Sequence, residues 1–159
     1  MKEKMDKWLV ADVYHLHDSA ILKLDANSSL EDAIGMLARN PTMRGIFLVD
    51  SKQRFAGMIT KVDLLRWATL NLTGGAGRHS LGVAEIFRIV DARKVSDLTR
   101  GNQTSFSIKE NDTLQAALNK MLDIEEDVIA VLDSEGKVLG DLRLSEVLSW
   151  IINSGKKAI

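Results

Sequence analysis

The sequence predicts an α/β (α+β) fold made of two pseudo-symmetric copies of one unit, each in the order strand, helix, strand, turn, strand, helix. Two observations predict it: strand-length apolar runs alternate with helical apolar periodicity, and the whole pattern occurs twice. The segments that recur 83 or 84 residues later are 28–33 with 112–117, 46–51 with 129–134, and 57–60 with 140–143. Because pockets favour interfaces between such units, the boundary of the two copies is the expected place for a ligand site.

Composition and charge limit the function classes. The chain has 159 residues, a formal net charge of -1 and no cysteine. Near neutrality argues against a broad basic surface for nucleic acid, and the lack of cysteine excludes disulfides and thiolate chemistry. The first residues lack the apolar stretch of a signal peptide, and no apolar run approaches the ~20 residues that cross a bilayer. We therefore expect a cytoplasmic protein without membrane contact.

The first repeat is expected to span residues 8–70. A short strand at 20–24 precedes a helix that Ser28 begins, with Glu31 at the spacing of a capping box. The dipeptide ending in Pro41 stops that helix, because the residue before a proline avoids helical geometry. An apolar strand at 45–49, a polar turn at 50–54 and a returning strand at 55–59 follow, and Thr60 begins the next helix.

The second repeat, at 93–154, follows the same plan. Asp112 and Gln115 have the capping spacing, and the strands are expected at 128–132 and 138–142, around a turn at 133–137. Short leader segments also match, 10–13 with 95–98. The insertion between the repeats, 71–92, contains a glycine-rich stretch at 73–79, typical of a flexible loop, and a stretch at 83–90 that predicts one or two helical turns.

The strongest candidate for binding chemistry is segment 57–63, with the sequence GMITKVD. A strand ends, a hydroxyl residue follows, and a carboxylate lies three positions later at a helix start. The helix N-terminus, with the Thr60 hydroxyl, suits a phosphate, and the Asp63 carboxylate could accept both hydroxyls of a ribose. The alternative is that Thr60 only caps the helix and Asp63 only favours its dipole. The spacing alone leaves both open.

The ordered repetition of these motifs resembles a known family. A capped helix, an apolar strand ending in Asp50 or Asp133, a polar turn and the GMITKVD segment together resemble the CBS domain (cystathionine beta-synthase domain). Two copies in tandem resemble a Bateman module, which binds adenosine nucleotides in regulatory proteins. The resemblance covers nearly the whole chain except its start and the insertion. It implies that each repeat is a small three-stranded sheet with two helices on one side.

The resemblance also implies where the ligand binds. In the family, the residues at the positions of Thr60 and Asp63 bind the phosphate and ribose of AMP, ADP, ATP or a related adenosyl ligand. Met58 and Val62 would lie beside them, and the opposite repeat would complete the site. Its contributions are expected near Gly101 and Phe106, on the first strand of the second repeat, and near Asp127 and Ile129, on its second strand.

The second candidate site departs from the family pattern. Arg143 stands at the position of Thr60, and Glu146 at that of Asp63. Arg143 could bind a phosphate, or it could form a salt bridge with Glu146 and close the site. We expect this site to be empty or altered. The other residues assigned to it are His17, Leu22, Arg44 and Asp141.

The expected function is regulatory. No nucleophile, base and orienting partner can be assembled from the sequence, so enzyme activity is not predicted. His15 and His17 lack a third ligand, so no metal site is predicted either. The resemblance implies an adenosine nucleotide as the regulatory ligand, no required cofactor, an unknown protein partner and a homodimer. The apolar positions proposed for the dimer surface are Leu64, Leu65 and Ala68 on one helix and Val147, Leu148 and Ile151 on the other.

Two alternatives remain open. The chain could be a scaffold that kept the fold and lost the ligand, in which case replacing Asp63 would change no binding. It could instead bind nucleic acid through basic residues around the insertion, although the net charge argues against a broad basic surface. Those residues are Arg66, Arg78, Arg88, Arg93 and Lys94.

Of the aromatic residues, Trp67 and Trp150 are expected to pack, and Phe47 either fills the core or stacks on a base.

Overall fold

The computed structural model describes residues 8–14, 21–74, 81–99 and 103–157. The chain divides into two compact units. The repeat-1 unit comprises the described residues of Ala20–Ser51 and Ala56–Gln103. The repeat-2 unit comprises those of Met1–Ser19, Lys52–Phe55 and Thr104–Ile159. Each described part contains one three-stranded sheet, so the predicted α/β class is confirmed.

The elements of the first repeat and the insertion follow the predicted order. They are β1 (Leu22–Asp25), α1 (Leu30–Arg39), β2 (Ile46–Val49), β3 (Phe55–Ile59), α2 (Lys61–Thr73) and α3 (Val83–Val90). The sheet order is β1-β2-β3, and β1 pairs with β2 in parallel, Leu22 opposite Ile46. All four residues of β2 are buried, as its uninterrupted apolar run predicts.

The second repeat has the same order of elements. They are β4 (Ser107–Lys109), α4 (Leu114–Ile124), β5 (Val128–Leu132), β6 (Val138–Arg143) and α5 (Leu144–Lys157). The sheet order is β4-β5-β6, with β4 parallel and β6 antiparallel to β5. Val128 lies opposite Arg143, so the last residue of β6 is one position later than predicted. This register places Arg143 directly before α5.

The predicted caps of two helices are wrong by one residue. Ser29, not Ser28, is the N-cap of α1, and its Oγ accepts a hydrogen bond from Asp32 N at 3.2 Å. In α4 the cap is Thr113, whose Oγ1 accepts from Ala116 N at 3.1 Å. The carboxylate of Asp112 instead accepts from Lys109 N at 3.1 Å, within the preceding turn. Neighbouring hydroxyl and carboxyl residues satisfy the same capping pattern, so sequence spacing could not choose between them.

The leader segments are exchanged between the repeats. Both form 3-10 turns, Val10–Asp12 and Val95–Leu98. The backbone N–H of Val10 donates to the carbonyl of Asp112 at 2.9 Å, in the second repeat. The N–H of Val95 donates to the carbonyl of Ser28 at 2.9 Å, in the first repeat. Each compact unit therefore combines one repeat with the leader that precedes the other.

Each unit has its own hydrophobic core. In the repeat-2 unit, Val10 and Val13 of the leader are buried with Ile129, Leu142 and Val147. In the repeat-1 unit, the buried residues include Ile46, Leu48 and Ile59 of the sheet, Leu98 of the leader and Ile89 of the insertion.

The aromatic residues pack as expected. Trp67 packs against the core of the repeat-1 unit. The rings of Trp150 and Trp8 pack edge to face, with centroids 6.0 Å apart, against the core of the repeat-2 unit. Phe47 is buried, which favours the core role over base stacking.

The insertion extends α2 and adds one helix. The predicted helical turns at 83–90 are confirmed as α3, with Ile89 buried and Phe87 exposed. α2 continues to Thr73, and Gly74 ends it with a positive φ of 62°. The rest of the predicted glycine-rich loop, up to His79, lies outside the described residues. Among the helices that the structure describes, none has the length and apolar character that a bilayer crossing requires.

Candidate functional site

Thr60 and Asp63 form a buried hydrogen-bonded pair at the start of α2. Thr60 is the N-cap, directly after β3, and both residues are almost fully buried, at 0% and 3% exposure. Asp63 Oδ2 accepts hydrogen bonds from Thr60 N at 2.9 Å and from Thr60 Oγ1 at 3.0 Å. Thr60 Oγ1 in turn accepts from Asp63 N at 3.3 Å. The capping role that the sequence left open is therefore present.

The buried carboxylate of Asp63 can do more than cap the helix. Asp32, at the same position in the first turn of α1, is exposed, as aspartates usually are. Asp63 is instead enclosed beside β3, where its charge is costly unless hydrogen-bond donors surround it. The helix N-terminus supplies amide donors and a positive dipole end. The arrangement therefore holds an acceptor for hydroxyl groups next to donors for an anion.

The flanking residues Met58 and Val62 differ in exposure. Met58 lies in β3 and is 1% exposed, so it packs in the interior. Val62, in the first turn of α2, is 39% exposed. Of the two, Val62 is the one whose side chain reaches solvent beside the Thr60–Asp63 pair.

Three of the four residues expected from the opposite repeat, Phe106, Asp127 and Ile129, belong to the other compact unit, so their grouping with Thr60 stays a prediction. Phe106 was expected on the first strand of the second repeat, but it lies in a 3-10 turn before β4. Ile129 lies on β5 as predicted, and its side chain is fully buried in the core, which leaves only its backbone for a ligand. Asp127 is exposed directly before β5. Gly101 lies outside the described residues.

The second candidate site holds a buried charge cluster of Asp141, Arg143 and Glu146. Arg143 Nε lies 3.3 Å from Asp141 Oδ2 and 3.3 Å from Glu146 Oε1. Glu146 Oε1 also accepts from the backbone N of Arg143 at 3.1 Å, as Asp63 accepts from Thr60. Of the two alternatives for Arg143, the salt bridge to Glu146 is the one observed. The ion pair with Asp141 is not among the sequence predictions. The available signal was that the repeat alignment places the carboxyl group of Asp141 where the first repeat has apolar Met58.

Burial changes the ionisation of Glu146. Its side chain is 0% exposed, and desolvation by burial raises the pKa of this carboxyl above its ordinary value. The hydrogen bond from the Arg143 backbone and the guanidinium charge oppose the shift, and the charge of Asp141 adds to it. Two carboxylates thus share one guanidinium in a desolvated place.

The remaining residues assigned to the second site belong to the other unit or fall outside the described residues, so their grouping with Arg143 stays a prediction. Leu22 is in β1 and Arg44 precedes β2, both in the repeat-1 unit, and His17 lies outside the described residues. Within the ranges that the structure covers, no group of three or more potential ligand side chains is placed to hold a metal ion.

Several arginines of the nucleic-acid alternative make intramolecular contacts. Arg66 Nη1 lies 2.8 Å from Glu85 Oε1, and Arg88 Nη1 donates to the carbonyl of Leu98 at 2.7 Å. Arg93 Nη1 donates to the carbonyl of Val90 at 3.1 Å. The ion pair with Glu85 offsets the charge of Arg66, whereas hydrogen bonds to neutral carbonyls hold the side chains of Arg88 and Arg93 without removing their charge.

Comparison with known proteins identifies the repeats. A family model described as "CBS domain" matches residues 10–69 and 95–153. No curated protein sequence matches the chain significantly.

Solved structures match over most of the chain. The structure of CBSX2 in complex with AMP is 19% identical, with a TM-score of 0.64, and the match covers 93% of this chain and 98% of that one. A CBS domain-containing protein from Thermotoga maritima is 19% identical, with a TM-score of 0.69, over 91% and 94% of the two chains. The CBS domain pair of protein MJ0100, in complex with 5'-methylthioadenosine and S-adenosyl-L-methionine, is 14% identical, with a TM-score of 0.60, over 92% and 97%.

Proposed function

This chain belongs to the CBS-domain family, and we propose that its two domains form a regulatory module that binds AMP, ADP, ATP or a related adenosyl ligand. Structures similar in fold contain ligands of this class, namely AMP in CBSX2 and two adenosyl compounds in the MJ0100 pair. The observation in this chain that carries the proposal is the buried Thr60–Asp63 pair at the N-terminus of α2.

The pair divides the ligand into two chemical parts. The amide donors of the helix start suit the oxygens of a phosphate, and the Thr60 hydroxyl adds a donor if its hydrogen turns from Asp63 Oδ2 to the ligand. The Asp63 carboxylate suits a ribose, whose hydroxyls are hydrogen-bond donors. The proposed site also includes Val62 and Met58 beside the pair, and Gly101, Phe106, Asp127 and Ile129 from the second repeat.

The proposed activity is sensing rather than catalysis. A ligand that binds one arrangement of the two repeats better than another shifts the population toward that arrangement. The size of the shift is limited by the difference between the ligand's affinities for the two arrangements. A protein partner that binds one arrangement better than the other would then respond to the ligand concentration. No catalytic step or cofactor is part of this proposal.

We also propose that the module forms a homodimer through helical faces, with one correction. Val147, assigned to that face, is fully buried in the core of its unit. The exposed apolar residues of α5 are instead Leu144, Leu148 and Ile152, at 40%, 50% and 57% exposure. Their spacing of four residues places them on one helix face. On α2, Leu65 is 65% exposed and stays a candidate.

Calorimetric titration with AMP, ADP, ATP and S-adenosylmethionine tests the proposed function. Saturable binding to at least one ligand is expected, with a strong loss of affinity in Asp63→Asn. This variant removes the charge but keeps an oxygen that can accept from Thr60 N. Asp32→Asn is the matched control, since Asp32 holds the same position of α1 but is exposed, and its binding should equal that of the unmodified chain. If none of the four ligands binds to folded protein, the scaffold alternative is favoured.

A further inference from the structure

The two repeats place different chemistry at the same structural position. The sequence alignment of the repeats sets Asp141 opposite Met58, Arg143 opposite Thr60 and Glu146 opposite Asp63. In both repeats the acid three residues after the residue that precedes the helix accepts the backbone N–H of that residue, at 2.9 Å in the first and 3.1 Å in the second. The helix start is thus built alike, and the differences lie in the side chains around it.

In the second repeat the cationic side chain is already neutralised. The Nε of Arg143 is 3.3 Å from carboxylate oxygens of both Asp141 and Glu146. The side chains of the two acids are 3% and 0% exposed, and that of the arginine 15%. An incoming phosphate would have to compete with two buried carboxylates for the charge of this guanidinium. Removing one partner of a buried ion pair is strongly unfavourable.

The two repeats differ in the number of buried carboxylates at this place. The second repeat has two, those of Asp141 and Glu146, whereas the first has one, that of Asp63. The additional carboxylate favours hydrogen-bond donors and repels a phosphate, which has mainly acceptor oxygens. The first repeat has apolar Met58 in place of Asp141, and the neutral hydroxyl of Thr60 in place of the guanidinium.

We infer that Asp141, with Arg143 and Glu146, excludes phosphate from the second repeat, so that the chain binds one phosphate-bearing ligand, at Thr60. The inference rests on the proposed function for the site at Thr60. It adds that the corresponding position at Arg143 does not accept a phosphate. Asp141 is the discriminating residue, because its carboxylate pairs with Arg143 and has no counterpart in the first repeat, where Met58 stands, whereas Glu146 corresponds to Asp63.

The test transfers the residues of the first repeat into the second. AMP is titrated into the full chain, into Asp63→Asn, and into a triple variant with Asp141→Met, Arg143→Thr and Glu146→Asp. The expected stoichiometry is one AMP per chain, lost in Asp63→Asn, and two in the triple variant. Circular dichroism and thermal unfolding check that each variant is folded. Asp141→Asn, nearly equal in shape, serves if the triple variant does not fold, and it should show added AMP binding that depends on Arg143.

The outcomes separate the two proposals. Two AMP molecules per unmodified chain, or AMP binding that is lost in Arg143→Thr but kept in Asp63→Asn, would overturn the inference. So would a folded triple variant, or a folded Asp141→Asn where the triple variant fails, that gains no AMP site. If the unmodified chain binds no AMP but the triple variant binds one, the exclusion is supported, and the proposed phosphate site at Thr60 is the part that fails.

Discussion

The carboxylate of Asp63 and the hydroxyl of Thr60 hydrogen-bond each other's backbone N–H, so the pair closes the first turn of α2 from both sides. The hydroxyl also donates to Asp63 Oδ2 at 3.0 Å. The residues proposed to bind the ligand are therefore also residues that stabilise the fold. A loss of binding in a variant has to be separated from a loss of stability.

Replacement of Asp63 is expected to lower stability according to how many of its hydrogen bonds to Thr60 are lost. Asp63→Ala loses the acceptor for Thr60 N and should lower the free energy of unfolding by about 0.5–2 kcal/mol, the range for lost helix caps. Asp63→Asn keeps an acceptor oxygen and should lose less. Urea denaturation followed by circular dichroism measures both. Equal stability of Asp63→Ala and the unmodified chain would contradict the structural role.

Glu146 should make the stability decrease as the pH rises. Its pKa is raised in the folded state, mainly by burial, so folding favours the protonated carboxyl. That contribution is complete below the pKa of the unfolded chain and is lost as the pH rises through the folded pKa. Glu146→Gln should remove this slope and raise the relative stability of the variant on the alkaline side of that window. Denaturation at a series of pH values tests it, and an unchanged slope in the variant would refute the assignment.

Asp97 should have the opposite pH dependence. Hydrogen bonds from the backbone N–H groups of Arg93 and Lys94 lower the pKa of this carboxyl. Its contribution to stability is present above the pKa of the unfolded chain and is lost as the pH falls through the folded pKa. Asp97→Ala should flatten the acidic limb of the stability profile. Asp91→Ala, at a nearby exposed carboxyl, should leave that limb unchanged.

Two glycines should respond to alanine with opposite signs. A Cβ on Gly45 would lie 2.8 Å from the carbonyl oxygen of Ile59, so Gly45→Ala should cost about 1–3 kcal/mol, as overpacking does. In α1, a Cβ on Gly35 would lie 3.5 Å from Arg39 Nη1, an ordinary contact. Gly35→Ala should stabilise by about 0.5–1 kcal/mol, because glycine is unfavourable within a helix. Thermal unfolding of the two variants would show shifts in opposite directions.

The insertion helix α3 should contribute to the core through one face only. Ile89 is 4% exposed and belongs to the core of the repeat-1 unit, so Ile89→Ala should cost about 2–5 kcal/mol. Phe87, two positions earlier, is 63% exposed, and Phe87→Ala should change stability by less than about 0.5 kcal/mol. Chemical denaturation compares them. A similar cost for both variants would mean that the exposed face is also packed.

Sequence by itself determined the elements and their repetition. The apolar runs at β2, β3 and β5 and the periodicity of the helices predicted strands and helices close to their observed bounds, because buried faces impose their period on the chain. The same pattern placed Thr60 and Asp63 at a helix start. It was less exact at the caps, where Ser28 and Ser29 both satisfy the local rule.

Only the tertiary structure decided which segments pack together. Val10 precedes the first repeat but is buried with Ile129 of the second, and local periodicity carries no information about such a distant partner. The same holds for the ion pair of Asp141 with Arg143, and for the burial that raises the pKa of Glu146. Burial and charge pairing depend on what surrounds a side chain in space, whereas the sequence records only its neighbours along the chain.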